Sequence, residues 1–156
     1  MNFISPTEGT LSFDQTFTSI IKFVKAAPKA NYRLIIGTDS KQTQTAVFVT
    51  AIVIYREGRG ARFYYNKEEV KPKPTLRKRI YHETLNSLKV AGLVSEKMTE
   101  KTVADLNIEV HIDIGQNGET RDLIKEIVGM VVGNGYEAKI KPSAYAASNV
   151  ADRYTK

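Results

Sequence analysis

Four carboxylates carry the chemistry this sequence offers. Asp39 closes the run LIIGTDS and Asp113 closes NIEVHIDI, each at the end of an alternating strand pattern. Asp39 shares its strand face with Ile35 and Gly37. Glu83 lies in a stretch of helical spacing, where Ile80 and Glu83 stand at i+4 and i+7 from Leu76, on the stripe that packs against a sheet. A buried, unpaired carboxylate costs several kcal/mol or gives up its charge, and a divalent cation compensates it directly. Asp152 lies on a polar helix face with Ser148, Asn149 and Lys156, opposite Ala147, Val150 and Tyr154. Each acid alone has an ordinary explanation: turn or capping aspartates, a salt bridge of Glu83 with Arg77 or Arg79, a solvated face for Asp152. Their convergence on one architecture is what points to a site.

The elements that must position them follow from periodicity. Residues 1–11 read as a loose lead-in. Phe13, Phe17, Ile20, Ile21 and Val24 then share a helical face, with Ser12 and Gln15 spaced as a capping box, and Pro28 closes a helix of about 13–27. YRLIIGTDS, TAVFVTAIVIYR and ARFYYNKEEV read as three strands of an antiparallel meander, with EGRG as a turn between the last two. KPKP breaks the chain before a helix from Thr75 to about Ala91, and KMTEKT leads to the strand LNIEVHIDI. ETRDLIKEIVGMVV reads as a helix, YEAKIKP as a fifth strand, and YAASNVADRYTK as a last helix.

This order predicts a single α/β domain over 1–156, with a five-stranded mixed sheet and helices on both faces. Asp39 and Asp113 then end neighbouring strands at the switch in strand order, where ligands of such sheets bind.

A meander bearing Asp, a helix bearing Glu, a fourth-strand Asp and a last-helix Asp together resemble the ribonuclease H-like superfamily. More closely, IGTDS, RIYHET, HIDIGQNGET and KPSAYAASNVADRYTK are similar to the YkuK-type family of bacterial ribonuclease H-like proteins, across about residues 30–156. The resemblance implies a ribonuclease H-like fold and a site of Asp39, Glu83, Asp113 and Asp152.

Four hard oxygen ligands suit two Mg²⁺ or Mn²⁺ ions, and the chain has no cysteine for zinc or for a thiolate nucleophile. Asp39, on the central strand, is expected to bridge the ions, flanked by Glu83 and Asp113, with Asp152 completing one shell. The three acids Asp39, Glu83 and Asp113 are expected within one metal shell. Such a site supports hydrolysis of phosphodiester bonds in RNA or DNA. Ser40 and Lys41 after Asp39 argue against an exonuclease of the Asp-x-Glu kind. His82 and His111 each neighbour a proposed ligand in sequence and so point elsewhere; both are expected to be structural or solvated.

The net charge of +6, from 23 Lys and Arg against 17 Asp and Glu, favours a polyanionic partner. RNA, RNA–DNA hybrid or structured DNA fits. Lys73, Arg77 and Lys78 form one basic cluster, and Lys139, Lys141, Arg153 and Lys156 lie beside the acids. The alternative is a non-catalytic nucleic-acid-binding module that keeps the fold. The longest apolar stretch, Ala46–Tyr55, is too short to span a bilayer as a helix, so no membrane partner is expected. The absence of cysteine fits a reducing cytoplasm.

Overall fold

A computed structural model of the chain describes residues 1–101, 106–116 and 118–144. The elements are β1 (Asn2–Ser5), β2 (Gly9–Ser12), α1 (Phe13–Lys25), β3 (Tyr32–Gln42), β4 (Ala46–Arg56), β5 (Ala61–Val70), α2 (Leu76–Lys101), β6 (Ile108–His111), α3 (Ile124–Gly133) and β7 (Glu137–Lys139). A single 3₁₀ turn, Arg121–Leu123, leads into α3.

Among the described residues the sheet has seven strands in the order β2-β1-β5-β4-β3-β6-β7, not five. The two extra strands are the supposed lead-in. β1 and β2 form a hairpin in register Asn2↔Ser12 to Ser5↔Gly9, and β1 adds to β5 at Ile4↔Tyr65. Phe3 and Ser5 are its buried positions, and the Phe3 ring meets Phe13 at the start of α1. The meander expected of β3, β4 and β5 is present, with Ile36↔Ile52 and Ile52↔Tyr64 in register. β6 joins β3 in parallel through Ile36↔Val110, and β7 joins β6 in parallel.

Alternation divides the sheet's two faces. Leu34, Ile36, Ile52, Ile54, Tyr64 and Val110 form one core with Phe17, Ile20 and Phe23 of α1, Ile80 and Val90 of α2, and Ile127 and Val131 of α3. All three described helices therefore pack on one face. Ile35 and Val53 anchor a smaller cluster on the other, with Tyr55 and Phe63. The last helix read from YAASNVADRYTK lies outside the described residues.

Local chemistry explains the helix ends. The Ser12 N–H donates to Gln15 Oε1 at 2.8 Å and Gln15 N–H donates to Ser12 Oγ at 3.1 Å, so the capping box satisfies two donors at the start of α1. α1 stops at Lys25, where the Ala26 N–H bonds back to Lys22 O. α2 runs to Lys101, well past the expected Ala91, because Val94 and Met98 continue its buried stripe. β6 is shorter than LNIEVHIDI suggests. After His111 a three-residue turn centred on Asp113, with the Ile114 N–H donating to Ile112 O at 2.9 Å, breaks the ladder. The segment still follows β7, since the Ile112 N–H donates to Lys139 O and the Lys141 N–H to Ile114 O, both at 2.9 Å.

Candidate active site

Glu83 faces inward, as its helical phase requires. It is 5% exposed, beside Ile80, Thr84 and Ser87 on the buried stripe of α2. Ser40 Oγ donates to its Oε2 at 2.5 Å. Burial pushes the carboxyl up to about 8. The Ser40 hydroxyl opposes this, the charge of Asp39 adds to it, Arg79 opposes it, and Asp113 adds to it. Among the described residues no cation lies within 4 Å of Glu83. The salt-bridge explanation therefore fails for Arg77, whose guanidinium goes to Glu126 at 3.7 Å. Arg79 acts on Glu83 only through its field, and its Nε is buried without an acceptor.

The alternation of β3 decides which side chain meets Glu83. Thr38 and Ser40 face α2, whereas Asp39 shares the opposite parity with Ile35 and Gly37. Hence it is Ser40, the residue after the aspartate, that reaches Glu83. Asp39 Oδ1 accepts from the Ser40 N–H at 2.9 Å. Asp113, at the kink after β6, is half-buried and its Oδ1 pairs with Lys141 Nζ at 2.9 Å. A narrow crevice beside α2 is lined by Glu83, Asp113, Thr38 and Ser87, among others. Under it runs a buried hydroxyl chain, Ser87 Oγ to Thr38 Oγ1 at 2.8 Å and Thr38 Oγ1 to Thr50 Oγ1 at 3.0 Å. Glu83 thus feels the charges of both Asp39 and Asp113, yet no three His, Asp or Glu side chains among the described residues meet around one point. Asp152, Arg153 and Lys156 lie outside the described residues.

A ribonuclease H-like family model matches residues 15–156. A Bacillus subtilis (strain 168) protein, "Uncharacterized protein YkuK", is 36% identical over 166 aligned residues, covering 99% of this chain and 96% of that protein. The chain belongs to the YkuK-type ribonuclease H-like family. No solved structure matches it. Family membership points this ribonuclease H-like protein toward nuclease-type or nucleic-acid-related function, and no described helix is long and apolar enough to cross a membrane.

Around the site of the ribonuclease H-like protein, several cations already have partners. Lys139 pairs with Glu137 at 3.0 Å and Lys141 with Asp113. Arg77 lies over the Tyr81 ring as well as beside Glu126. Lys73 and Lys78 are exposed and, among the described residues, hold no ion pair. His82 ties α2 to β5 through Glu68 at 2.5 Å and packs on Phe48.

Sequence inspection also missed a second charged network. Arg33 grips Glu109 with two bonds, Nε to Oε2 at 2.8 Å and Nη2 to Oε1 at 2.7 Å, and His111 Nε2 stands 3.2 Å from Oε1. The guanidinium holds the Glu109 carboxyl below the usual range against the effect of burial, while burial pushes the His111 imidazole down. The polar alternation of Glu109 and His111 in NIEVH was the available signal; their partner lies on a strand 76 residues earlier.

Proposed function

We propose that this protein is a divalent-metal-dependent nuclease that hydrolyses phosphodiester bonds in RNA or DNA. The observation that carries the reading is Glu83: a carboxyl 5% exposed on a packed helix face, with no cation within 4 Å among the described residues and two further acids acting on it. Burying such a group with a hydroxyl but no cation beside it disfavours its charged form, so its presence beside Asp39 and Asp113 supports a role that needs a hard-oxygen donor. The donor set fits two Mg²⁺ or Mn²⁺ ions in kind, with Asp39, Glu83, Asp113 and Asp152 as the holding residues. Bound there, the ions would supply an activated water and stabilisation of the leaving oxygen.

The chain's own residues do the rest. The Ser40 hydroxyl fixes the Glu83 carboxyl at the crevice, and release of the proton favoured by burial makes Glu83 a full donor. Lys141 holds the Asp113 carboxylate until it is needed and, once released, is a cation placed to meet a phosphate oxygen. Lys73, just before α2, and Arg77 and Lys78 in its first turn would steer the nucleic-acid backbone toward the crevice.

The test is a cleavage screen with Mg²⁺ and Mn²⁺ over RNA–DNA hybrid, single-stranded RNA, duplex RNA and branched DNA, with Asp39→Asn as control. Metal-dependent cleavage lost in Asp39→Asn supports the reading; cleavage that survives the substitution rejects this site. One observation favours a second reading, a non-catalytic nucleic-acid-binding module: at 2.9 Å the Lys141 ammonium already neutralises Asp113. That reading is upheld by tight binding with no cleavage of any of the four substrates.

A further inference from the structure

The end of the sheet remote from the carboxylates has a different charge pattern. β3 begins there at Tyr32, and Asp39 lies seven residues further on, about 23 Å at the rise of a strand. Two clefts open at this end. One, of about 730 Å³, lies between the 26–31 loop and the β4–β5 turn and is lined by Lys29, Glu57 and Arg59. The other, beside α1, is lined by Lys22, Phe23, Arg56, Arg62 and Glu8. Five cations therefore face two carboxylates, and Glu8 is already bonded to the Ser19 hydroxyl.

Pairing distinguishes the cations of these two clefts from several nearer the carboxylates, although Lys73 and Lys78 there are also without an ion pair among the described residues and Arg33 at the remote end pairs with Glu109. Lys71, Arg77, Lys139 and Lys141 each have a carboxylate partner. Among the described residues none of Lys22, Lys29, Arg56, Arg59 and Arg62 has one within 4 Å. The end of α1 accounts for part of this. Its last carbonyls attract cations, and Arg56 Nη2 donates to Phe23 O at 2.6 Å while its guanidinium lies 3.9 Å from the Phe23 ring centre. It does not account for Lys29 and Arg59, which are exposed on two separate turns and, among the described residues, make no side-chain hydrogen bond or ion pair. Arg62 is also exposed, with its guanidinium set 4.9 Å over the same ring. Arg62 Nη1 donates to Ala61 O at 3.2 Å, and the remaining edge donors of a fork held against a ring stay open to an oxyanion.

We propose that this end is a second docking face for a nucleic acid, taking the phosphodiester backbone on Lys29, Arg59 and Arg62 away from the carboxylate site. The proposal rests on the nucleic-acid reading above and adds a place of contact that the reading does not require. Phosphate contacts of this kind position a nucleic acid without reading its sequence.

The full chain is tested by binding to a fluorescent 16-base-pair duplex, as RNA and as RNA–DNA hybrid, across a salt series without divalent metal. Each phosphate neutralised contributes about 0.9 to the slope of log affinity against log salt. Lys29→Glu/Arg59→Glu is expected to lower the slope by about 1.8, with the melting temperature unchanged; Lys29→Gln/Arg59→Gln gives the same loss of slope should the reversal impair folding. Lys89→Glu/Lys125→Glu makes the same change in net charge elsewhere and is expected to leave the slope near that of the parent. Equal slopes for parent and Lys29→Glu/Arg59→Glu overturn the docking face while leaving nucleic-acid binding in place. An equal loss in the Lys89→Glu/Lys125→Glu control assigns the effect to net charge and overturns it too. Displacement of the duplex by millimolar inorganic phosphate alone identifies a small-anion site instead. A parent that binds neither duplex overturns both the docking face and the reading beneath it.

Discussion

Replacing Glu83 by Gln isolates the energetic consequence of burying that carboxyl. The unfolded group ionises near its ordinary 4.5 and the folded one near about 8. Between those values the folded state holds a proton that the unfolded state has released. Stability therefore falls as pH rises from 4.5, and the loss is complete only above about 8. At 1.36 kcal/mol per pH unit the whole span corresponds to about 5 kcal/mol, and the part reached by pH 7 to about 3 kcal/mol. Glutamine keeps the shape, stays neutral throughout and can still accept the Ser40 hydroxyl. The difference in stability between Glu83→Gln and parent should thus grow in favour of the variant by about 3 kcal/mol from pH 4.5 to 7, roughly 6–12 °C in melting temperature for a chain of this size. Parallel thermal melts of both proteins at pH 4.5, 7 and 8.5 in chelator measure it, and other titrating groups cancel in the difference. A difference that is the same at all three pH values would refute the argument. So would a variant that is several kcal/mol weaker at every pH, since that marks a carboxylate paired within the fold.

Further expectations concern metal, packing and charge. Mn²⁺ at 100 times its dissociation constant should stabilise the parent by about 2.7 kcal/mol, and Glu83→Gln and Asp113→Asn by less; calorimetry with and without the ion reads this, and equal gains in all three argue against the carboxylate site. Arg33→Gln leaves Glu109 buried beside His111 and should destabilise by about 3 kcal/mol at neutral pH. Because the Arg33 guanidinium holds Glu109 below its ordinary value, that stabilisation is present above 4.5 and is lost as pH falls through the depressed value, so the penalty of Arg33→Gln shrinks in acid; a penalty independent of pH would contradict it. Ser12→Ala removes one half of the capping box on α1 and should cost about 1 kcal/mol in urea melts. Charge reversal at Lys73 and Lys78 should flatten the salt dependence of nucleic-acid binding more than reversal at Arg77, whose charge Glu126 already offsets; the reverse order would remove this cluster from the interface.

The features legible in the sequence were those set by long periodic segments. The face of α1 and its capping box followed from spacing alone, and so did the inward phase of Glu83, because the stripe through Leu76 and Ile80 fixes it within one turn. The antiparallel meander followed from three long apolar runs separated by turn residues. The hairpin of β1 and β2 was missed because four-residue strands give too few alternations to stand above noise. The kink at Asp113 was missed because Ile112 and Ile114 continue the alternation while the ladder does not. Strand parity also decides the site in a way that residue type conceals: a shift of one position exchanges faces, so Ser40 and not Asp39 meets Glu83. Pairings such as Arg33 with Glu109 and Lys141 with Asp113 depend on which strands and loops become neighbours, which a single chain does not announce.

The amino-terminal hairpin has a bearing on how this protein behaves in solution. Without it β5 would be the outer strand of the sheet, and its middle holds Phe63, Tyr64 and Tyr65. A ten-residue strand of that composition, with its backbone donors and acceptors unpaired, is a template on which another chain can add. β1 meets it at Tyr65, and the new border is β2, four residues long and mostly exposed, with Gly9 and Thr10 leading it. A short polar border gives an incoming strand little to hold. The hairpin thus covers β5 beside its aromatic residues, and a truncation beginning at Phe13 is expected to aggregate more readily than the full chain.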